Sequence, residues 1–352
     1  MESILSAALI SPPDSFAPTP SPTPTQWQRT LTAYSESIAW RSVAQLVGNL
    51  AGFFGLGFGM WLFAERAYWV SLALALPAAG FLLRLFSIQH DCGHGAFFRS
   101  RAANDWIGRV LGVLTLVPYA YWRSAHATHH ATIGRLDRRG IGEIDVLTAR
   151  EYQSKSWLGR VAYRAYRHPL VLLGIGPSFQ FYVRFRLPFN LPEPATEARN
   201  SILLMNVALL AIGLGIHGTL GLGDFLWIYL PPMTLAAGVG IALFYVHHNF
   251  EETYWAEPPD WRHRDASLEG SSYYDLPAFL QWFVGHTGIH HVHHLCPRIP
   301  NYRLNECIRK HPELADVNRL TFADLFRCIR LGLWDEARGR LVSFAEAKRF
   351  RE

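Results

Sequence analysis

The chain has 352 residues, of which half are hydrophobic and only 17% charged, against about 25% charged in ordinary soluble domains. Together with a positive mean hydropathy, this argues against a soluble globular domain and for a membrane protein. The formal charge of +5 suits anionic lipid headgroups better than nucleic acid in a multispanning chain, so no nucleic-acid partner is expected.

In chain order, the first 25 residues are rich in Pro, Ser and Thr and carry no Lys or Arg. Residues 1–39 are therefore read as a disordered tail and lead-in, and 40–352 as one membrane domain. Without a basic n-region the start is not a secretory signal, and the first apolar run is expected to remain as an anchor. Four apolar runs follow, with cores at Ala44–Ala64, Tyr68–Ile88, Ile202–Leu222 and Phe225–Val246. Each is close to the ~20 residues that span a hydrocarbon core, so four transmembrane helices are expected.

Of the 33 Lys and Arg, only Arg66 lies between runs one and two, and none lies between runs three and four. Both connections should face outside. Arg41, Arg99, Arg101, Arg199, Arg262 and Arg264 flank the membrane on the other side, which puts both termini and the central segment in the cytoplasm. Arg84, one turn from the end of its run, is expected to snorkel to the cytoplasmic headgroups, with an intramembrane functional role as the alternative. Cys92, Cys296, Cys307 and Cys328 form no C-x-x-C pair and fit a reducing surface. Near the C-terminus Phe322, Leu325, Phe326, Ile329 and Leu333 alternate with Arg327, Arg330 and Arg338. This pattern reads as an amphipathic helix on the membrane surface, or one packed on the cap.

Nine of the 16 histidines fall into three clusters: His90-x3-His94, His126-x2-His129-His130 and His290-His291-x-His293-His294. On a helix, positions i, i+3 and i+4 share a face, so each cluster can aim two or three imidazoles at one point. Imidazole suits iron, copper or zinc. The first cluster directly follows run two, and the second follows Pro118, which favours a fresh helix start. The third is ended by Cys296-Pro297. Run four ends in Tyr245-Val246-His247-His248, which brings another pair to the same level. Eight or nine imidazoles exceed the capacity of one metal and suit two with open positions. His291 is expected to point away. Asp91, inside the first cluster, and Asp145, in Gly-Glu-Ile-Asp, are candidates to accept an imidazole N–H and fix its tautomer, the alternative for each being a solvated charge. His168, His217, His263, His286 and His311 lack the spacing and are read as surface or packing residues.

The stretches HDCGHGAFF, WRSAHATHHATIGRLDRRG and EGSSYYDLPAFLQWFVGHTGIHHVHHLCPRIPNYRL resemble the membrane-bound acyl-lipid fatty acid desaturases of bacteria and cyanobacteria. The flanking LCPRIPNYRL is similar to the Δ12 (omega-6) and bacterial Δ5 branch. The resemblance covers roughly Trp40 to the C-terminus. It implies an all-α polytopic membrane protein whose four transmembrane helices carry a cytoplasmic helical cap holding a di-iron site. It also implies O2-dependent insertion of a cis double bond into the acyl chain of a membrane glycerolipid. By position, the iron ligands it implies are His90, His94, His126, His129, His130, His290, His293 and His294, with His248 as the extra ligand. His247 stands where that branch commonly has Gln, which leaves the choice between His247 and His248 open. No haem-binding extension or nucleotide loop is recognisable, so electrons are expected from a ferredoxin, flavodoxin or similar carrier docking on the basic face. A bacterial inner membrane is the expected location. The rival readings are a fatty acyl or carotenoid hydroxylase or ketolase on the same scaffold, and a histidine-rich metal transporter or sensor. The latter would want polar ligands inside the spans.

Overall fold

The computed structural model describes residues 23–140, 142–189, 191, 195–219 and 221–349. The expected tail over residues 1–22 lies outside them. Residues 23–39, the end of that tail and its lead-in, carry a helix and a buried face. Thr23 accepts from the Gln26 amide while the Gln26 side chain accepts from Thr23 N, a reciprocal cap that starts helix α1 (Pro24–Leu31). Trp27, Leu31 and Tyr34 line one face of that segment and are buried.

Two long helices follow, α2 (Ala39–Phe63) and α3 (Tyr68–Gly93). They pack closely because Gly52 lets the Phe81 ring approach to 2.4 Å from where a Cβ would stand. Small residues at such crossings are what helices in lipid need, since apolar surface gains little there by leaving the hydrocarbon. The outer face of α2 leaves Val43, Val47, Phe54 and Phe58 exposed, as a lipid-facing surface should. Arg84 does not snorkel. It is only 6% exposed, its Nε donates to Asn49 Oδ1 at 2.7 Å, and its guanidinium donates to the Trp282 carbonyl and lies 3.8 Å over the Trp282 ring. Acceptors inside the bundle replace the headgroups, so the charge is satisfied without reaching the surface.

Helices α4 (Arg101–Leu114) and α5 (Tyr119–Thr132) form a hairpin against α3, with α5 opening after Pro118 as its sequence demands. Then come strand β1 (Leu147–Thr148), helices α6 (Ala149–Ser154) and α7 (Trp157–Tyr166), a π-helical turn at Val171–Ile175 and α8 (Gly176–Tyr182). The remaining long helices are α9 (Ala195–His217) and α10 (Leu222–His248). Thus, among the described residues, four helices are long and apolar enough to cross a membrane, α2, α3, α9 and α10, matching the four apolar runs.

Beyond α10 lie α11 (His263–Glu269), strand β2 (Tyr273–Asp275), α12 (Ala278–Phe283), α13 (His290–Leu295), α14 (Asn301–Lys310) and strand β3 (Arg319–Thr321). Strands β2 and β3 pair in parallel. The C-terminal amphipathic helix does not form. A short α15 (Leu325–Cys328) gives way to a hairpin of β4 (Leu331–Asp335) and β5 (Arg340–Ser343), and β1 joins β4 in parallel. The reason is local: Asp335 accepts from the amides of Ala337 and Arg338, and Gly339 takes φ +62°, so the chain reverses. Leu333 and Val342 face each other across the hairpin, both fully buried.

Candidate metal centre

The three clusters and the end of α10 converge. His90 sits in the last turn of α3 and His94 is its C-cap; His126, His129 and His130 project from α5. His290, His293 and His294 fill α13, a six-residue helix with every residue buried. Helix α1 leans on that short helix and shares its apolar core, in which Trp27 and Leu31 meet Val292 and Leu295.

Nine ring nitrogens form two groups, each gathered within 4.8 Å: His90, His94, His126, His130 and His293 in one, His129, His248, His290 and His294 in the other. In the first, His126 Nε2 lies 3.0 Å from His90 Nε2, 3.0 Å from His94 Nε2 and 3.1 Å from His130 Nε2, and His130 Nε2 lies 3.1 Å from His293 Nε2. In the second, His290 Nε2 lies 2.9 Å from His248 Nε2 and 3.1 Å from His294 Nε2. Imidazole nitrogens about 2.1 Å from one metal and at right angles around it stand about 3.0 Å apart, so the spacing fits metal ligation. His129 Nε2 is buried without a hydrogen-bond partner, as a lone pair aimed at an ion would be.

The outward nitrogens fix the tautomers. His248 Nδ1 donates to the Gly270 carbonyl at 3.0 Å, and His129 Nδ1 donates to Glu143 Oε1 at 3.1 Å, which turns each Nε2 lone pair inward. Burial holds His94, His126, His130, His290, His293 and His294 well below the ordinary histidine value, and neighbouring imidazoles add to the effect. His129 is pushed to about 3 by burial and then by His90. Neutral imidazoles are the ligand form.

His247 belongs to neither group. Its ring stacks on His290 with centroids 4.1 Å apart, and its buried Nε2 has no partner. His291 turns away and donates from Nε2 to the Leu314 carbonyl at 2.9 Å. Asp91 lies 3.6 Å from His90 Nδ1, beyond hydrogen-bond range; its Oδ2 accepts from the Asn301 amide and side chain, both at 2.7 Å, and so ties α14 to α3. Asp145 is exposed, with its amide donating to Tyr166 Oη and its carbonyl accepting from Arg167. The carboxylate that meets an imidazole is Glu143, two positions earlier, which sequence reasoning passed over. The available signal was Gly140 and Gly142, both at positive φ. A Cβ on Gly142 would stand 2.7 Å from the Ala125 carbonyl, so the loop presses on α5 and delivers Glu143 to His129. Burial, partly offset by His248, raises the Glu143 carboxyl to about 7.

A cavity of about 470 Å³ reaches these groups. His90, His126, His290 and His293 line it beside Leu82, Met233 and other apolar side chains of α3 and α10. An elongated apolar ligand could therefore lie against both nitrogen clusters.

The profile of the family described as fatty acid desaturase matches residues 67–326. A fatty acid desaturase of Bacillus subtilis (strain 168) is 38% identical over 323 residues, covering 92% of this chain and 91% of that protein. Two Synechocystis proteins are more distant: an sn-1 oleoyl-lipid 12-desaturase, 27% identical over 273 residues (76% and 74% covered), and an sn-1 acyl-lipid omega-3 desaturase (ferredoxin), 27% identical over 300 residues (82% and 79% covered). The family match over residues 67–326 and the 38% identity across nine-tenths of both chains agree with four helices long and apolar enough to cross a membrane and two histidine groups beside an apolar cavity, and the chain belongs to the fatty acid desaturase family of oxidoreductases.

Proposed function

We propose that the protein uses O2 to introduce a cis double bond into the acyl chain of a membrane glycerolipid at a di-iron centre. The observation that carries this reading is the pairing of two imidazole clusters with one apolar cavity. His90, His94, His126, His130 and His293 would hold one iron and His129, His248, His290 and His294 the other. Two irons would supply the oxidising power needed to take hydrogen from an unactivated methylene, which lies beyond side-chain acids and bases. The chain's own residues position the substrate, exclude water with the apolar lining and hold the imidazoles neutral. In the overall balance, two hydrogens from adjacent carbons, two external electrons and two protons reduce O2 to two waters.

The names of the Synechocystis relatives, an oleoyl-lipid 12-desaturase and a ferredoxin-linked desaturase, support an acyl-lipid substrate and a ferredoxin, flavodoxin or similar donor. Charge flanking the spans supports cytoplasmic termini and a cytoplasmic site in a bacterial inner membrane. The test is expression in a host without polyunsaturated lipids, with double bonds located by mass spectrometry and iron measured in the purified protein. New cis double bonds and about two irons per chain are expected; hydroxylated acyl chains, or activity with a single zinc, would overturn the reading.

A further inference from the structure

Helix α7 is held to strands β1 and β4 by one face. Tyr163 Oη donates to the Gly332 carbonyl at 2.6 Å and accepts from the Leu147 amide at 3.0 Å, and its ring is buried with Leu333 and Val342. Each residue turns a helix by about 100°, so Trp157, Leu158 and Val161 project from the opposite side. They are 68%, 69% and 47% exposed, which makes one contiguous apolar face, the kind of surface that marks a partner or a membrane. Residues 152–168 also contain Lys155, Arg160, Arg164 and Arg167 and no Asp or Glu.

The height of α7 relative to the spans follows from the residues after it. Arg167, just past its end, donates to Tyr245 Oη, and Tyr245 stands in the last turn of α10, where the fourth apolar run stops. Further on, the Leu173 carbonyl comes within 2.8 Å of where a Cβ on Gly238 would stand. Gly238 lies about 10 Å deeper along α10 than Tyr245, at 1.5 Å per residue. The chain therefore descends beside the span only after α7, and Leu170, Ile175 and Phe179 stay exposed along that descent. The apolar face of α7 is thus continuous with a lipid-facing surface, at the level where the hydrocarbon ends.

We propose that α7 lies in the surface of the lipid leaflet on the side of the histidine groups, with Trp157, Leu158 and Val161 at the acyl boundary and Lys155, Arg160 and Arg164 against anionic headgroups. Apolar side chains bordered by cations are the pattern of an interfacial helix, and tryptophan favours that level of a bilayer. An acidic soluble partner would satisfy the cations but would leave unexplained why the apolar face runs on into the exposed side of α8. A second copy of the chain would bring the same cations against each other. The seating of α7 goes beyond the desaturase reading and does not depend on it.

The experiment uses the metal-loaded full chain carrying an environment-sensitive NBD fluorophore on Leu158→Cys, Val161→Cys or Ala337→Cys, the last in the exposed turn between β4 and β5. The four native cysteines are buried, and wild type serves as the labelling blank. Each protein is placed in phosphatidylcholine vesicles with or without an equal amount of phosphatidylglycerol, part of the lipid bearing a nitroxide on its acyl chain. At Leu158 and Val161 the emission should shift to the blue and be quenched several-fold more than at Ala337. Phosphatidylglycerol should deepen that quenching, and Lys155→Gln combined with Arg160→Gln should remove the increase. Water-like emission at both sites, a blue shift without lipid quenching, which marks a second copy or a protein partner, or quenching indifferent to phosphatidylglycerol would each overturn the proposal. Val161→Cys decides if Leu158→Cys does not fold.

Discussion

Replacing Glu143 with Leu removes the acceptor that holds the His129 Nδ1 proton at 3.1 Å. His129 Nε2 is buried without a hydrogen-bond partner, so the Glu143 bond is the polar contact that fixes the tautomer and turns that nitrogen's lone pair towards the other imidazoles of its group. Losing such an outer partner typically costs 10–100-fold in metal affinity, or about 1.4–2.8 kcal/mol at 1.4 kcal/mol per tenfold. Glu143→Gln retains a carbonyl oxygen that can accept the same proton, so its affinity should stay within about threefold of wild type. Asp145→Leu, at an exposed position, should change nothing. The assay is iron retained by the purified protein against a graded chelator, read by elemental analysis. Wild-type retention in Glu143→Leu, or a loss in Asp145→Leu, would refute the assignment of the orienting carboxylate to Glu143.

His248→Ala should abolish product and lower iron content, whereas His247→Gln should be tolerated, because only His248 joins a nitrogen group; the reverse pattern would show a ligand shifted by one residue. Asn49→Ala should destabilise the protein in detergent by about 1–3 kcal/mol, as it strips a partner from the buried Arg84 guanidinium. The double variant with Arg84→Met should recover part of that loss, while a neutral Asn49→Ala would point to a snorkelling arginine. The metal-free protein should lose stability on acidification, read as a falling Tm. His129 is depressed to about 3, and His286 and His291 to about 4, from an ordinary 6.5. The unfolded chain thus binds more protons across that window, so stability is complete above about pH 6.5 and is lost as pH falls towards 4. Glu143, raised to about 7, acts in the opposite sense between about pH 4.5 and 7, one group against many; a flat profile from pH 7 to 4 would contradict the neutral, buried imidazoles.

Much of the architecture is written locally. A span needs about twenty apolar residues in a row, and α2, α3, α9 and α10 lie within a few residues of the four runs. Histidine spacing likewise reports which imidazoles share a helical face. What stayed hidden depends on distant or conformational facts. The Asn49 acceptor for Arg84 is 35 residues away, on another helix, and no local pattern announces it. Glu143 and Asp145 are equivalent in composition; the left-handed Gly140 and Gly142 decide which one reaches α5. At the C-terminus, Phe322 to Leu333 carries helical spacing, yet Leu333 belongs to a hairpin whose reversal is set by Asp335 and Gly339. Trp27 and Leu31 were obscured by the Pro- and Ser-rich stretch before them.

The convergence of α3, α5, α10 and α13 also bears on how the protein is made. His130 and His293, 163 positions apart, belong to one nitrogen group, and His290 completes the other with His248. When the fourth span has just been threaded into the bilayer, α13 is still to be synthesised and both groups are incomplete. Contacts this remote in sequence form late, after loop closure. A nascent chain interrupted before α13 would keep four nitrogens of the first group, from His90, His94, His126 and His130, but only two of the second, from His129 and His248, so the second group is the one that waits for the last part of the chain. The pair of nitrogen groups therefore exists only once α13 has been made, whatever the helices before it have already brought together.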